Sequence, residues 1–346
     1  MISNKYQFAL VDYSWLARRS AYIISMGKHA GEYKPSEIIR LVFQSLAKLT
    51  NQLGITYDKV ILIQDKWSKE WGGYYRTYLL KGGYKDTREY VDSLYVEKLR
   101  DEGASEEIIK KAEDEAYFNQ CCMQAKQAVM NELTMFPSIF AWGAEADDIF
   151  NIFSSIYNPS GDPSIKKSVI ISKDSDLKKS TSVSLDFYRY GTKADPSRVW
   201  TYEDAVAEIP QNLRDAGLSL YWYHSLLEAL GAGHNDVKSP RKKGTHVNKV
   251  LEDIVLRGDY SDIEDKEMFD RAMSSFDLSS FPMYQEIIDT IQKKFMVCGR
   301  IPTLTEWKEF CDKWELEGIS ERYFSTFVSK LDRSMYLDPA PEQRCL

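Results

Sequence analysis

Three carboxylates, Glu145, Asp147 and Asp148, stand within four positions of AWGAEADDIF (141–150), directly ahead of an apolar run. Acidic side chains in the first turn of a helix each gain roughly 0.3–1 kcal/mol from the macrodipole. Two such charges about 4 Å apart repel by roughly 4 kcal/mol at an effective dielectric near 20, so a converging group needs counter-charge. Further aspartates close apolar runs elsewhere: Asp12 ends YQFALVD, Asp65 ends KVILIQD, and Asp174 ends KSVIISKD with Asp176 two positions on. One aspartate after a strand is commonly a turn former or helix cap; three of them, with the 145–148 group, suggest a shared site. Asp12, Asp65, Glu145, Asp147, Asp148, Asp174 and Asp176 offer only hard oxygen donors, which suit Mg2+ or Mn2+ rather than zinc. Magnesium keeps waters and is completed by substrate phosphate, so the chemistry expected is phosphoryl transfer to water. Two ions roughly 3.5–4 Å apart can activate the water and stabilise the leaving oxygen of an in-line displacement.

Positioning such a set requires strands that end together. The runs 6–12 and 59–65 are separated by PSEIIRLVFQSLAKLTNQLG, where Ile38, Ile39, Leu41, Val42, Leu46 and Leu49 recur at helical spacing, with Ser36 as N-cap and Gly54 as stop. A strand, helix, strand unit implies a parallel pair with a crossover. Runs 167–174 and 183–190 add two more strands. The class predicted is α/β, a mostly parallel central sheet flanked by helices, with its carboxyl edge as the ligand crevice. If the chain stays extended after 174, Asp174 and Asp176 project to one side. Residues 74–136 read as a polar helical insertion broken near DEGASEE (101–107), either a cap over the crevice or a pair of packing helices. Strand signals fade after about residue 205, so an α/β domain over 1–205 and a helical domain over 206–346 are expected.

Composition bounds the rest. The 346 residues are 43% hydrophobic with a net charge of −7, which speaks against a protein that coats nucleic acid through bulk positive charge. Local basic patches remain: Lys238, Arg241, Lys242 and Lys243 in KSPRKK, and a looser set of Arg76, Lys81, Lys85 and Arg88. Five cysteines without a CxxC pair, and four histidines without ligand spacing, argue against structural zinc and for a reducing compartment. No apolar run approaches the roughly 20 residues of a membrane span, and the start MISNKYQFALVDYS has no signal-peptide pattern. A cytoplasmic location is expected, that of the host if the chain is phage-encoded.

In order and separation, ALVDYS, VILIQDKW, YKDTRE, AEADDIF and IISKDSDL resemble the structure-specific 5′ nucleases (flap endonucleases and 5′–3′ exonucleases), in particular their phage ribonuclease H branch. The resemblance runs from residue 6 to about 190 and weakly beyond. It implies a PIN-like nuclease core with a helical arch, and a C-terminal domain containing a helix-hairpin-helix-type element. It implies that Asp12, Asp65, Glu145, Asp147 and Asp174 serve a first metal region and Asp176 a second. It also implies that Lys85 and Arg88 touch the scissile phosphate and that Tyr84 stacks near the terminal base; Tyr, Lys and Arg together suit stacking and charge-assisted phosphate bonds. The family's aspartate-rich turn departs here: in GAGHNDVKSPRKKGTH (231–246) its ligand positions fall on Ala232 and Asn235, or on Gly233 and Asp236, and Asp236 is taken as the remaining carboxylate. The arch region 87–118 is net acidic, which does not support a tight grip on DNA.

The function expected is a Mg2+-dependent 5′–3′ nuclease with two ions, Mn2+ able to substitute, removing RNA primers or 5′ flaps during DNA replication and leaving 5′-phosphates. Expected partners are branched or nicked duplex DNA with a 5′ flap, an RNA:DNA hybrid, and a single-stranded-DNA-binding protein or sliding clamp, met by a monomer away from any membrane. The rivals are a single-metal PIN-like ribonuclease and a non-catalytic branched-DNA-binding protein with a degenerate second metal site.

Overall fold

The computed structural model describes residues 6–80, 91–132, 136–191, 195–232, 239–296 and 302–316. Six strands form a mostly parallel sheet in the order β3-β2-β1-β4-β5-β6: β1 (Ala9–Asp12), β2 (Val60–Ile63), β3 (Ser138–Ile139), β4 (Ser168–Ser172), β5 (Leu185–Arg189) and β6 (Arg198–Trp200). Helices flank it, so the class is the expected α/β. The short β3 and the antiparallel edge strand β6 carry no periodic signal in the sequence. Strands β1, β2 and β4 are buried at every position, which explains why they read as continuous apolar runs rather than alternating ones.

The chain divides into two compact units. The first comprises residues 1–64, 89–139 and 293–345. Within it β2 pairs in parallel with β1, Ala9 opposite Val60 and Asp12 opposite Ile63, and with β3. Helix α1 (Tyr13–Ser25) follows β1 directly, and α2 (Pro35–Leu53) supplies the crossover. The helical spacing in α2 buries Ile38, Ile39, Val42, Leu46 and Leu49. Its N-cap is Lys34 rather than Ser36, because Pro35 takes the first helical position, where its missing N–H is no loss. Gly54 ends α2 in the left-handed conformation at φ 62°, as its sequence position implied.

The polar segment of the first unit forms α4 (Ser93–Asp101) and α5 (Glu106–Gln127), broken at 102–105. Helix α5 packs against α1 and α2, with the Tyr117 hydroxyl donating to the Tyr33 carbonyl at 2.6 Å and Lys126 Nζ to Ser14 Oγ at 2.9 Å. Helix α13 (Leu304–Lys313) seals the far side of α2 with Trp307 and Phe310 against Phe43.

The second unit comprises residues 65–88 and 140–292, with the terminal residue 346. Strand β4 pairs in parallel with β5, which pairs antiparallel with β6. The unit holds α3 (Tyr75–Leu79), α6 (Ala146–Ile156), the short α7 (Tyr202–Val206) and α8 (Gln211–Asp215), α9 (Leu220–Ala229), α10 (Val247–Glu252), α11 (Lys266–Ser274) and most of α12 (Tyr284–Met296). A helical core of Leu213, Leu220, Leu226, Val250, Phe269 and Phe276 holds its later part together. No described helix is long and apolar enough to cross a membrane.

Candidate functional site

The N-terminus of α6 is where carboxylates collect, and helix physics explains the first layer of the arrangement. The first N–H groups of any helix lack internal partners and attract anions. The Ala146 N–H donates to Asp65 Oδ1 at 2.8 Å, so an aspartate 81 positions away fills one of these sites. Asp148 Oδ2 reaches back to accept the Glu145 N–H at 3.0 Å, the N3-to-N-cap half of a capping box. Ile149, Phe150 and Phe153 are fully buried on the opposite face and anchor the helix.

Counter-charge comes from within the chain. Arg76, on α3, is 4% exposed and pairs through Nη2 with Asp148 Oδ1 and through Nη1 with Glu145 Oε2 at 3.3 Å. Its expected place in an exposed basic patch is therefore corrected: burial against two carboxylates removes it from the surface. A second buried cation, Lys179, donates to Glu228 Oε1 at 2.7 Å. Both cations lie over the Phe276 ring, Arg76 at 5.6 Å and Lys179 at 5.3 Å. Burial opposes the charge of Lys179, yet Glu228 and Asp147 hold its ammonium above the usual lysine range.

The remaining carboxylates are less compensated. Desolvation pushes Asp147 well above the ordinary aspartate range, and the neighbouring charges of Asp174 and Glu145 push the same way against Lys179 and Arg76. Burial also raises Asp148, although Arg76 pulls it down. Asp174 follows β4 and accepts the Asp176 N–H at 2.9 Å. Residues Ser175–Ser180 form a 3-10 turn, so the extended chain on which the same-side projection of Asp174 and Asp176 depended is not formed.

The other expected residues that are described make local contacts. Asp12, in the first unit, N-caps α1 by accepting the Trp15 N–H at 2.9 Å. Arg241 donates from Nε to the Leu230 carbonyl at 2.7 Å and from Nη1 to the Thr245 carbonyl at 2.8 Å, which ties down its loop. Lys242 and Lys243 on that loop are exposed. Tyr84, Lys85, Arg88, Asp236 and Lys238 lie outside the described residues. Sequence reading missed Lys179 and Glu228: nothing in KDSDLKKS separates Lys179 from Lys178, and Glu228 carries no local signal.

The donor set suits a hard divalent cation in one respect and not in another. In chemistry it fits: oxygen ligands only, with Asp147 disfavoured as an anion beside Asp174 in a way that a cation would relieve. Among the described residues, however, no three acidic, His or Cys side chains close on one point. Asp147 and Asp174 would hold such an ion, the balance of its oxygens coming from water and phosphate, as is usual for magnesium.

No family model matches the chain, and no curated protein does. Among solved structures, it is similar to the zinc-bound 5′-exonuclease of bacteriophage T5 (15% identity, TM-score 0.46, covering 93% of this chain and 98% of that one). It is also similar to the bacteriophage T5 flap endonuclease in a pseudo-enzyme–product complex with DNA and metal ions (16%, 0.46, 93% and 98%). A third likeness is to the catalytic core of Rad2 in complex with DNA substrate (12%, 0.46, 95% and 94%). Likeness at this level carries nothing about activity or substrate.

Proposed function

We propose that the chain is a divalent-metal-dependent 5′ nuclease that hydrolyses phosphodiesters at the α6 carboxylates. The observation that supports this most is Asp147 beside Asp174: burial of Asp147 and the neighbouring Asp174 charge both disfavour the Asp147 anion, which a bound cation would relieve. When bound, a divalent cation lowers the pKa of a water and stabilises charge on the phosphate. The chain's own residues do the rest. Asp147 and Asp174 bind, Asp65 fixes the start of α6 through Ala146, and Arg76 holds Glu145 and Asp148 in place. Lys85 and Arg88 are proposed to orient the scissile phosphate, and Lys242 and Lys243 to hold duplex backbone, without sequence preference. The motif order 6–190 supports 5′ flaps and RNA:DNA hybrids as substrates, in DNA replication, with Mg2+ as the ion.

The rival, a non-catalytic branched-DNA-binding protein, is favoured by one observation: Arg76 and Lys179 already supply positive charge to this cluster. One experiment separates the two. Purified protein is incubated with a 5′-flap duplex and an RNA:DNA hybrid, with and without magnesium. Magnesium-dependent cleavage, abolished in Asp147→Asn and Asp174→Asn while binding persists, is expected; binding without cleavage under magnesium or manganese overturns the nuclease reading.

A further inference from the structure

Two of the chain's tryptophans stand half exposed, Trp67 at 50% and Trp142 at 54%. They belong to loops that also carry the carboxylates: Trp67 lies two residues after Asp65, and Trp142 three before Glu145. Backbone bonds fuse these loops into one element. The Lys66 N–H donates to the Ala144 carbonyl at 3.1 Å, the Gly143 N–H to the Lys66 carbonyl at 2.7 Å, and the Tyr75 N–H to the Gly143 carbonyl at 2.8 Å. A reciprocal pair of 3.0 Å bonds between Ser68 and Gly73 closes the turn between them.

A cleft of about 600 Å³ opens on this element, lined by Trp67, Trp71, Trp142, Lys69, Met283 and Glu286 among others. Its floor is rigid. Trp71 packs on Tyr75 at 4.9 Å and on Tyr78 at 5.3 Å between ring centroids. It lies so close to Gly143 that a Cβ there would meet its ring at 2.6 Å. Beside the cleft Lys66 Nζ sits 4.5 Å from the Trp142 ring centroid and 5.1 Å from that of Phe140.

We infer that this cleft binds an unpaired nucleobase of a nucleic-acid strand by stacking on Trp67 and Trp142. Three indoles with, among the described residues, only Met283 and Pro282 as aliphatic neighbours offer π-faces rather than the greasy wall that an apolar peptide anchor needs. Aromatic platforms with cations alongside are the general device for single strands, and are tolerant of sequence because every base has a π-face. Lys66 and Lys69 suit the backbone of such a strand, while Glu70 and Glu286 can accept from exocyclic amino groups of a base. Position points the same way: chain geometry keeps the Trp67 and Trp142 backbones within about 7 and 10 Å of Asp65 and Glu145. Trp142 also stands five residues before Asp147, at most about 18 Å along the backbone, so a strand whose phosphate lies at Asp147 reaches the cleft within a few nucleotides.

The inference rests on the nuclease reading only for its nucleic-acid ligand, and the test keeps the two apart. Full-length protein without added metal is titrated into a duplex with a single-stranded 5′ extension carrying 2-aminopurine at successive unpaired positions, and into a blunt duplex. Wild type is expected to quench the probe at one or two positions. Trp67→Ala and Trp142→Ala remove that quenching and weaken binding of the extended duplex about tenfold each, the lower range for one base on one aromatic ring; the blunt duplex is unaffected, and Trp67→Phe retains the quenching. No quenching at any position, or equal weakening of both duplexes, overturns the inference. Magnesium-dependent cleavage of the same extended duplex is read separately: quenching without cleavage sinks the nuclease reading and keeps the cleft, and cleavage without quenching does the reverse.

Discussion

Asp148 shows how much of an acidic cluster can be structural. One oxygen caps the Glu145 N–H and the other binds Arg76, so its charge is committed before any ligand arrives. Removing one partner of a buried ion pair strands the other, typically at a cost of about 3–5 kcal/mol. Arg76→Met and Asp148→Asn should each destabilise the chain by roughly that amount, and the double variant by clearly less than their sum. Urea denaturation of the four proteins measures the coupling; strict additivity would show that the pair is not energetically linked. His224 supplies a pH test. Burial, with Lys179 and Lys178 nearby, lowers its pKa to about 4, and its Nε2 is buried with no hydrogen-bond partner among the described residues. The unfolded chain binds this proton near pH 6.5, the folded one only near 4, so His224 favours folding above pH 6.5 and that contribution is lost as pH falls towards 4. His224→Gln should flatten the loss of thermal stability between pH 6.5 and 4, read by calorimetry; an unchanged slope would contradict it.

At the scale of elements, α6 is the piece that converts strand ends into a site. Its apolar face locks it into the core, its N-terminus draws in Asp65, and its first turn carries Asp147 beside Asp174. The loop 140–145 that delivers the helix depends on Gly143, which has φ 84° and presses against Trp71. A Cβ there adds left-handed strain to a clash, so Gly143→Ala should cost about 1–3 kcal/mol. Circular dichroism melting measures this. A melting temperature equal to wild type would mean that Trp71 and the loop can yield, and that the cleft floor is softer than its packing indicates.

For the whole molecule, a net charge of −7 means that any attraction for nucleic acid is local. On the proposed function, each of Lys242→Ala and Lys243→Ala should reduce the slope of log affinity against log salt by about 1, with no change in sequence preference. Binding isotherms from low to moderate salt test this; slopes identical to wild type would remove the loop from the interface.

The sequence by itself determined the α/β class, the strands β1, β2, β4 and β5, the extent of α2 and the break between α4 and α5. Those features are written in local periodicity, continuous apolar runs and glycine stops, which act over a few residues. It also placed Asp147 and Asp174 in one candidate set with five other carboxylates, since acidic residues that close apolar runs or open a helix are visible without a structure. Only the tertiary structure decided which carboxylates are already neutralised. Arg76 looked like part of a basic patch and Lys179 carried no signal, because pattern cannot show that carboxylates 69 and 49 positions away fold onto them. The exposed faces of Trp67 and Trp142 were equally invisible, as burial is a property of the packed chain and aromatic residues read as core until the packing leaves them out. Chemistry-bearing residue types are local information; their counter-charges and their exposure are set by long-range contacts.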